Sequence, residues 1–124
     1  MGRYTARVRE EGLPADFEAE EAVLGGILID GGMMTEITTI LDGPENFGRE
    51  KNGWIYGAMQ NVDKREAAID FVTVRSELES MGKLEEIGGA GYLTQLLTAV
   101  PRSINTVHYA NIVHEKSIQR ELVK

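Results

Sequence analysis

The residues that phosphate, metal or proton chemistry would use are few in this chain. Gly82-Lys83 in "MGKLEE" has the start of a phosphate loop, where backbone N–H groups and a lysine hold the anion. Leu84 follows instead of Ser or Thr, and the position of the required earlier glycine is Glu77, so no Walker-type loop is present. "GGAGY", Gly88 to Tyr92, is rich in glycine but opens a helix after a helix, whereas a dinucleotide loop follows a strand. His108 and His114 are separated so that, at ~100° per helical residue, they point about 120° apart. They cannot share a metal as an i, i+4 pair does, and they read as surface or interface histidines. Glu18 and Glu21 lie on neighbouring turns and have the types of an acid–base pair. No His or Lys is placed to orient them, and carboxylates at a helix start have a simpler role opposite the dipole. The chain therefore reads as non-enzymatic, with no catalytic residue, cofactor-binding residue or metal ligand of its own.

Composition is that of an ordinary globular domain, with 42% apolar and 27% charged residues. The 124 residues suffice for one domain with a real core. There is no cysteine, which excludes disulfides and thiolate metal sites and points to a reducing compartment. No apolar run approaches the ~20 residues that span a bilayer, so no membrane partner is expected. The N-terminus has no apolar stretch of the signal-peptide kind. The net charge of −7 argues against a domain that grips a phosphate backbone by itself. Residues 1–12 read as a flexible arm, in which Arg3, Arg7 and Arg9 occur without an apolar pattern; an arm that contacts nucleic acid is the alternative.

Helices must position whatever the chain presents. Pro14 and Asp16 suit a helix entry, with Glu18, Glu20 and Glu21 in its first turn and Ala19, Val23 and Ile27 on its apolar face. Gly25 and Gly26 weaken that helix and imply a neighbour passing close by. "MMTEITTIL" is a short second helix with Met34, Ile37 and Leu41 inward, stopped by Asp42-Gly43-Pro44. Asn52 suits a cap for a third helix, whose face is Trp54, Ile55, Ala58, Met59 and Val62. Trp54 then belongs to the core and Tyr56, about 200° around, lies nearer solvent. Residues 69–74 are ambiguous between strand and helix at their start, and Val74, Leu78 and Met81 settle into helix with Gly82 as the stop. Tyr92, Leu93, Leu96, Leu97 and Val100 form a fifth helix ended by Pro101. A sixth starts near Ser103 or Asn105. The fold class is all-α: a compact bundle of about six short helices, with a helical head over 13–102 and a last helix over 103–124.

The last helix has more apolar surface than a terminal helix needs. Tyr109, Ile112, Val113 and Val123 fall on one side, and Val107, Ile118 and Leu122 on the other. Two faces imply two partners, the head and something else. No stop signal follows, so the helix reads as the first arm of a helical hairpin, truncated at Lys124, and its last turn is expected to fray. Val107, Tyr109, Ile112, Val113, Ile118 and Leu122 are the candidate partner or oligomer interface.

The order of motifs resembles the amino-terminal domain of the bacterial replicative DNA helicases of the DnaB family. The matching pieces are Pro14, Glu18-Ala19-Glu20 and Val23-Leu24-Gly25; Asn46-Phe47 and Ile55-Tyr56; "IDFVTV"; "LESMGKLEEIGGAGYL"; and Pro101, Ser103, Asn105, "YANIV" and Arg120-Glu121. Together they run from Leu13 to Lys124. Gly48 stands where the family often has a second aromatic, and Lys51 and Asn52 where Pro and His are common, which bears on the local loop. The resemblance implies a cytoplasmic location and a non-catalytic domain that self-associates into dimers within a hexameric collar and receives primase. A helicase loader is a further partner in such a scheme. ATP and Mg2+ would belong to a separate downstream ATPase domain, and DNA would be met only through the assembled ring. The other readings are a helicase-binding module of a primase and an unrelated acidic helical adaptor.

Overall fold

The computed structural model describes residues 12–101 and 105–123. The expected arm over 1–12 and a helix start at Ser103 lie outside the described residues, Gly12 apart. Six α-helices follow in order: α1 Phe17–Ile29, α2 Met34–Ile37, α3 Glu50–Lys64, α4 Phe71–Ser80, α5 Ala90–Thr98 and α6 Thr106–Val123. Short 3-10 turns at Gly31–Met33 and Pro44–Asn46 link the early elements. Among the described residues there is no strand, so the ambiguity at residues 69–74 resolves as helix. The reason is local: Asp70 accepts from the Thr73 N–H at 2.9 Å while Thr73 Oγ1 accepts from the Asp70 N–H at 2.9 Å, a reciprocal cap that starts α4.

α1 is the central helix. Asp16 caps it by accepting from the Ala19 N–H. From Ala19 to Leu28 every residue but Glu21 is buried, because α6, α5 and α3 all pack on it. A helix enclosed on this many sides needs small residues where neighbours cross. Gly25 supplies that: a Cβ there would run into the Leu96 carbonyl of α5 and the Val100 side chain. Met34, Ile37 and Leu41 turn inward as their spacing predicts. Gly82, at φ +72°, ends the α4 segment in a conformation that costs other residues more.

Two expectations for α3 are overturned. Tyr56 is fully buried and Trp54 only partly so. The Tyr56 ring packs 5.1 Å from Phe47, and its hydroxyl donates to the Leu41 carbonyl at 2.8 Å. A satisfied hydroxyl removes the penalty that would have kept the phenol near water. Trp54 instead lies at the rim, with Lys83 Nζ 4.4 Å from its ring centre. Asn52 is not a cap. α3 starts earlier, at Glu50 after Arg49, with no side-chain cap from its own segment, and Asn52 is fully buried inside the first turn.

Candidate interaction surface

α6 packs against the head with Thr106, Ala110, Val113 and Arg120 buried. Tyr109 and Ile112 are half-buried against the core, as is Val107. Ile118 is 48%, Leu122 79% and Val123 59% exposed. Of the six candidate residues, the structure therefore sets Tyr109, Ile112 and Val113 on the head and leaves Ile118 and Leu122 open to solvent. Two positions depart from the two-sided division. Val107 joins the head, partly buried against the core. Val123 falls on the head-facing side by angle, yet is exposed. Angular position alone does not supply a surface to pack on.

The other candidate chemistry is dispersed. Gly82-Lys83 is a helix end with its lysine over Trp54, and Gly88 and Gly89, at φ +105° and +74°, form the turn before α5. His108 is exposed and stands edge-on to the Tyr109 ring, while His114 is half-buried. Glu18 and Glu21 line a recess of about 270 Å3 with Ala22, Ala99, Pro101 and Tyr109. Glu21 lies 3.6 Å from Arg49, which binds it as half of an ion pair. Among the described residues no three His, Asp or Glu side chains group as metal ligands do.

Behind α6 lies a buried polar system whose partners helical spacing does not name. Spacing puts Glu20 in the first turn of α1 opposite the dipole, but it is 1% exposed. Its Oε2 accepts from the Gly48 N–H at 2.6 Å, and its Oε1 accepts from the Arg49 N–H at 3.3 Å and from Asn52 Nδ2 at 2.9 Å. Glu20 thus caps α3 from another helix, which explains how α3 begins without a cap from its own segment. The Tyr92 hydroxyl completes the chain by donating to Asn52 Oδ1 at 2.6 Å. Burial pushes the Glu20 carboxyl above its ordinary 4.5, against the opposing effects of Asn52, the two backbone N–H groups and the charge of Arg120. Burial raises the Tyr92 hydroxyl as well.

Arg120 enters from α6 on the far side of Gly48. Its Nη1 donates to the Pro14 carbonyl at 2.9 Å and its Nη2 to the Asn46 carbonyl at 2.8 Å. Asn46 Nδ2 in turn donates to Ser117 Oγ, also on α6, at 3.1 Å. A Cβ on Gly48 would lie 2.8 Å from Ala15 Cβ, 3.1 Å from Arg120 Nη1 and 3.2 Å from Glu20 Oε2, so glycine is what lets the two charged side chains approach. A signal for both was present. Glu20 precedes Val23, Leu24 and Ile27 at helical spacing, and Arg120 continues the row of Thr106 and Val113. A charged residue on an apolar row is either an error of register or a buried, paired group.

Comparison with known proteins agrees with this architecture. Residues 12–115 match the model of the DnaB-like helicase N-terminal domain. The chain is 43% identical over 111 residues to the replicative DNA helicase DnaB of Geobacillus stearothermophilus, covering 90% of this chain and 24% of that protein. It thus spans about a quarter of the length of that relative. The N-terminal domain of DnaB helicase from Mycobacterium tuberculosis superposes with a TM-score of 0.84 at 39% identity, over 90% of this chain and 76% of that one. A DnaB-like replicative helicase, solved in a study of its interactions with primase, superposes at 0.76 with 31% identity, over 87% of this chain and 25% of that one.

Proposed function

The chain belongs to the DnaB-like helicase N-terminal domain family, and from that membership we propose that it is the non-catalytic head through which a replicative DNA helicase assembles and meets its partners. The membership favours this reading over a primase module or an acidic adaptor. The observation that carries the proposal is the joint match in sequence and fold. In this reading the head spans 13–102, α6 is the start of the assembling segment, and its outer residues Ile118 and Leu122 meet a second copy within a hexameric collar. Val107, Tyr109, Ile112 and Val113 contribute by holding α6 on the head. Primase is the partner that the solved helicase relative suggests. A loader protein fits the same scheme, in a cytoplasmic replication machinery. ATP and Mg2+ would serve a separate ATPase domain, and DNA would be handled by the assembled ring.

The test is a titration of this chain against the primase that works with it, read by calorimetry. Saturable binding at roughly micromolar concentration or below supports the reading, since that is worth about 8 kcal/mol. No heat and no co-sedimentation at roughly a hundred times that concentration would remove primase from it.

A further inference from the structure

The way α6 is attached changes along its length. Val113 is the last buried apolar residue of the helix, and among the described residues beyond it only Arg120 is buried. The first half of α6 is held by apolar packing, which is non-directional. The second half carries the exposed Ile118, Leu122 and Val123, and it is joined to the head by hydrogen bonds that Ser117 accepts and Arg120 donates. Such bonds have preferred angles, so they fix an orientation as well as a distance. Arg120 is suited to this because its planar fork spans two fixed acceptors, the Pro14 and Asn46 carbonyls, which belong to the entry of α1 and the loop before α3. Ile118 and Leu122 are each two residues from Arg120, about 200° around the helix. The direction in which Arg120 is pulled inward therefore sets the direction in which that edge faces outward.

We propose that Arg120, seated with Asn46 and Ser117 against Gly48 and Glu20, is the positioning residue that fixes the angle at which the second half of α6 leaves the head, and so aims the Ile118–Leu122 edge at its partner. The aiming rests on the self-association reading; the fixed angle does not. α6 and the head behave as one rigid body while the fork is closed. When the fork opens, the first half stays packed through Ala110 and Val113, and the second half pivots beyond it. Glu20 contributes charge from behind Gly48, so the joint couples the orientation of α6 to the same carboxylate that caps α3.

The chain has no cysteine, so a pair of labels can be introduced cleanly at Val72→Cys on the head and Leu122→Cys on α6, both exposed in the structure. Spin-label distance distributions are recorded for the full chain, with labelled protein diluted into unlabelled protein. The comparison is with Arg120→Lys, which keeps the charge but not the two-pronged fork, and with Arg120→Met. The width of the distribution is expected to roughly double in both variants, on the scale of an unanchored helix end. The cooperative melting of the head should persist in Arg120→Lys. A distribution in folded Arg120→Lys as narrow as that of the parent overturns the proposal. If Arg120→Met does not fold, the pair Glu20→Gln with Arg120→Met, which removes both charges, takes its place and is judged by the same width. Sedimentation of the unlabelled chains separates the two ideas. Broadening in the variants, with a parent that never associates, keeps the joint and removes the self-association reading. Association that persists unchanged while the distribution broadens shows that the angle does not aim the edge, and overturns that part of the proposal.

Discussion

Glu20 accepts hydrogen bonds from the Gly48 and Arg49 N–H groups and from the Asn52 amide. Replacing it by alanine strands the Gly48 and Arg49 N–H groups and the Asn52 amide, and leaves Arg120 without the carboxylate behind it. A buried donor left without a partner costs about 1–3 kcal/mol, so Glu20→Ala is expected to lose at least about 3 kcal/mol in urea unfolding. Tyr92→Phe removes one hydroxyl bond to Asn52 and should cost about 1 kcal/mol by the same measurement. The pH dependence has a definite sign. Burial raises the folded-state carboxyl of Glu20 above 4.5, so the folded chain holds this proton more tightly than the unfolded one. Its contribution is fully present below pH 4.5 and is lost as pH rises through the raised value. Glu20→Gln cannot titrate there. The stability of the parent minus that of Glu20→Gln is therefore expected to be largest at pH 4 and to shrink toward pH 7, and a constant difference would contradict the assignment.

At the level of elements, the helices differ in where their ends are decided. α1 and α4 begin with caps from their own segments, Asp16 and Asp70, three residues before the N–H groups they serve. α3 is capped by a residue of α1, so its start depends on tertiary assembly. The glycines show the same contrast. Gly25 lies in the crossing of α1 and α5, where a Cβ meets the Leu96 carbonyl, and backbone cannot move aside as a flexible side chain can. Gly25→Ala is expected to destabilise by about 1–3 kcal/mol in spite of alanine's better helix propensity. Gly91 lies in the first turn of α5, where a Cβ would meet nothing within 4 Å, and its φ is not positive. Gly91→Ala is expected to stabilise by roughly 0.5–1 kcal/mol. Thermal melts of the two variants side by side would check both signs.

At the scale of the whole molecule the chain is acidic, and among the described residues three of the five exposed large apolar side chains, Ile118, Leu122 and Val123, lie on the last helix. Ile118 and Leu122 are open to solvent on the last helix. If they meet a second copy, Ile118→Asp with Leu122→Asp should lower the association constant at least tenfold, the equivalent of about 1.4 kcal/mol. The melting temperature should stay near that of the parent, since exposed substitutions change stability by roughly 0.5 kcal/mol or less. Sedimentation at several concentrations reads the first and calorimetry the second. With a net charge of −7, the chain is also expected to bind single-stranded DNA more weakly than roughly 10⁻⁴ M at moderate salt, the weak end of non-specific binding. Micromolar binding would point to the arginines at positions 3, 7 and 9, and deleting residues 1–12 would show it.

The sequence by itself determined the class of fold, the number of helices and the family. Apolar residues recur at helical spacing, and the caps, stops and glycines are read by the chain within a few positions of themselves. Asp16, Asp70 and Gly82 act where they stand, and the Met34, Ile37 and Leu41 row faces inward as its period requires. Tertiary structure alone decided what each polar group on an apolar row would meet. Tyr56 is inside because the Leu41 carbonyl accepts its hydroxyl, and Trp54 is at the rim although its spacing favoured the core. Glu20 and Arg120 are buried because donors and acceptors from segments 28 to 106 positions away converge on them. Periodicity reports which way a side chain points. Whether that direction holds water, a hydrocarbon or a matching charge depends on which distant segments arrive there, and a helical repeat carries no record of them.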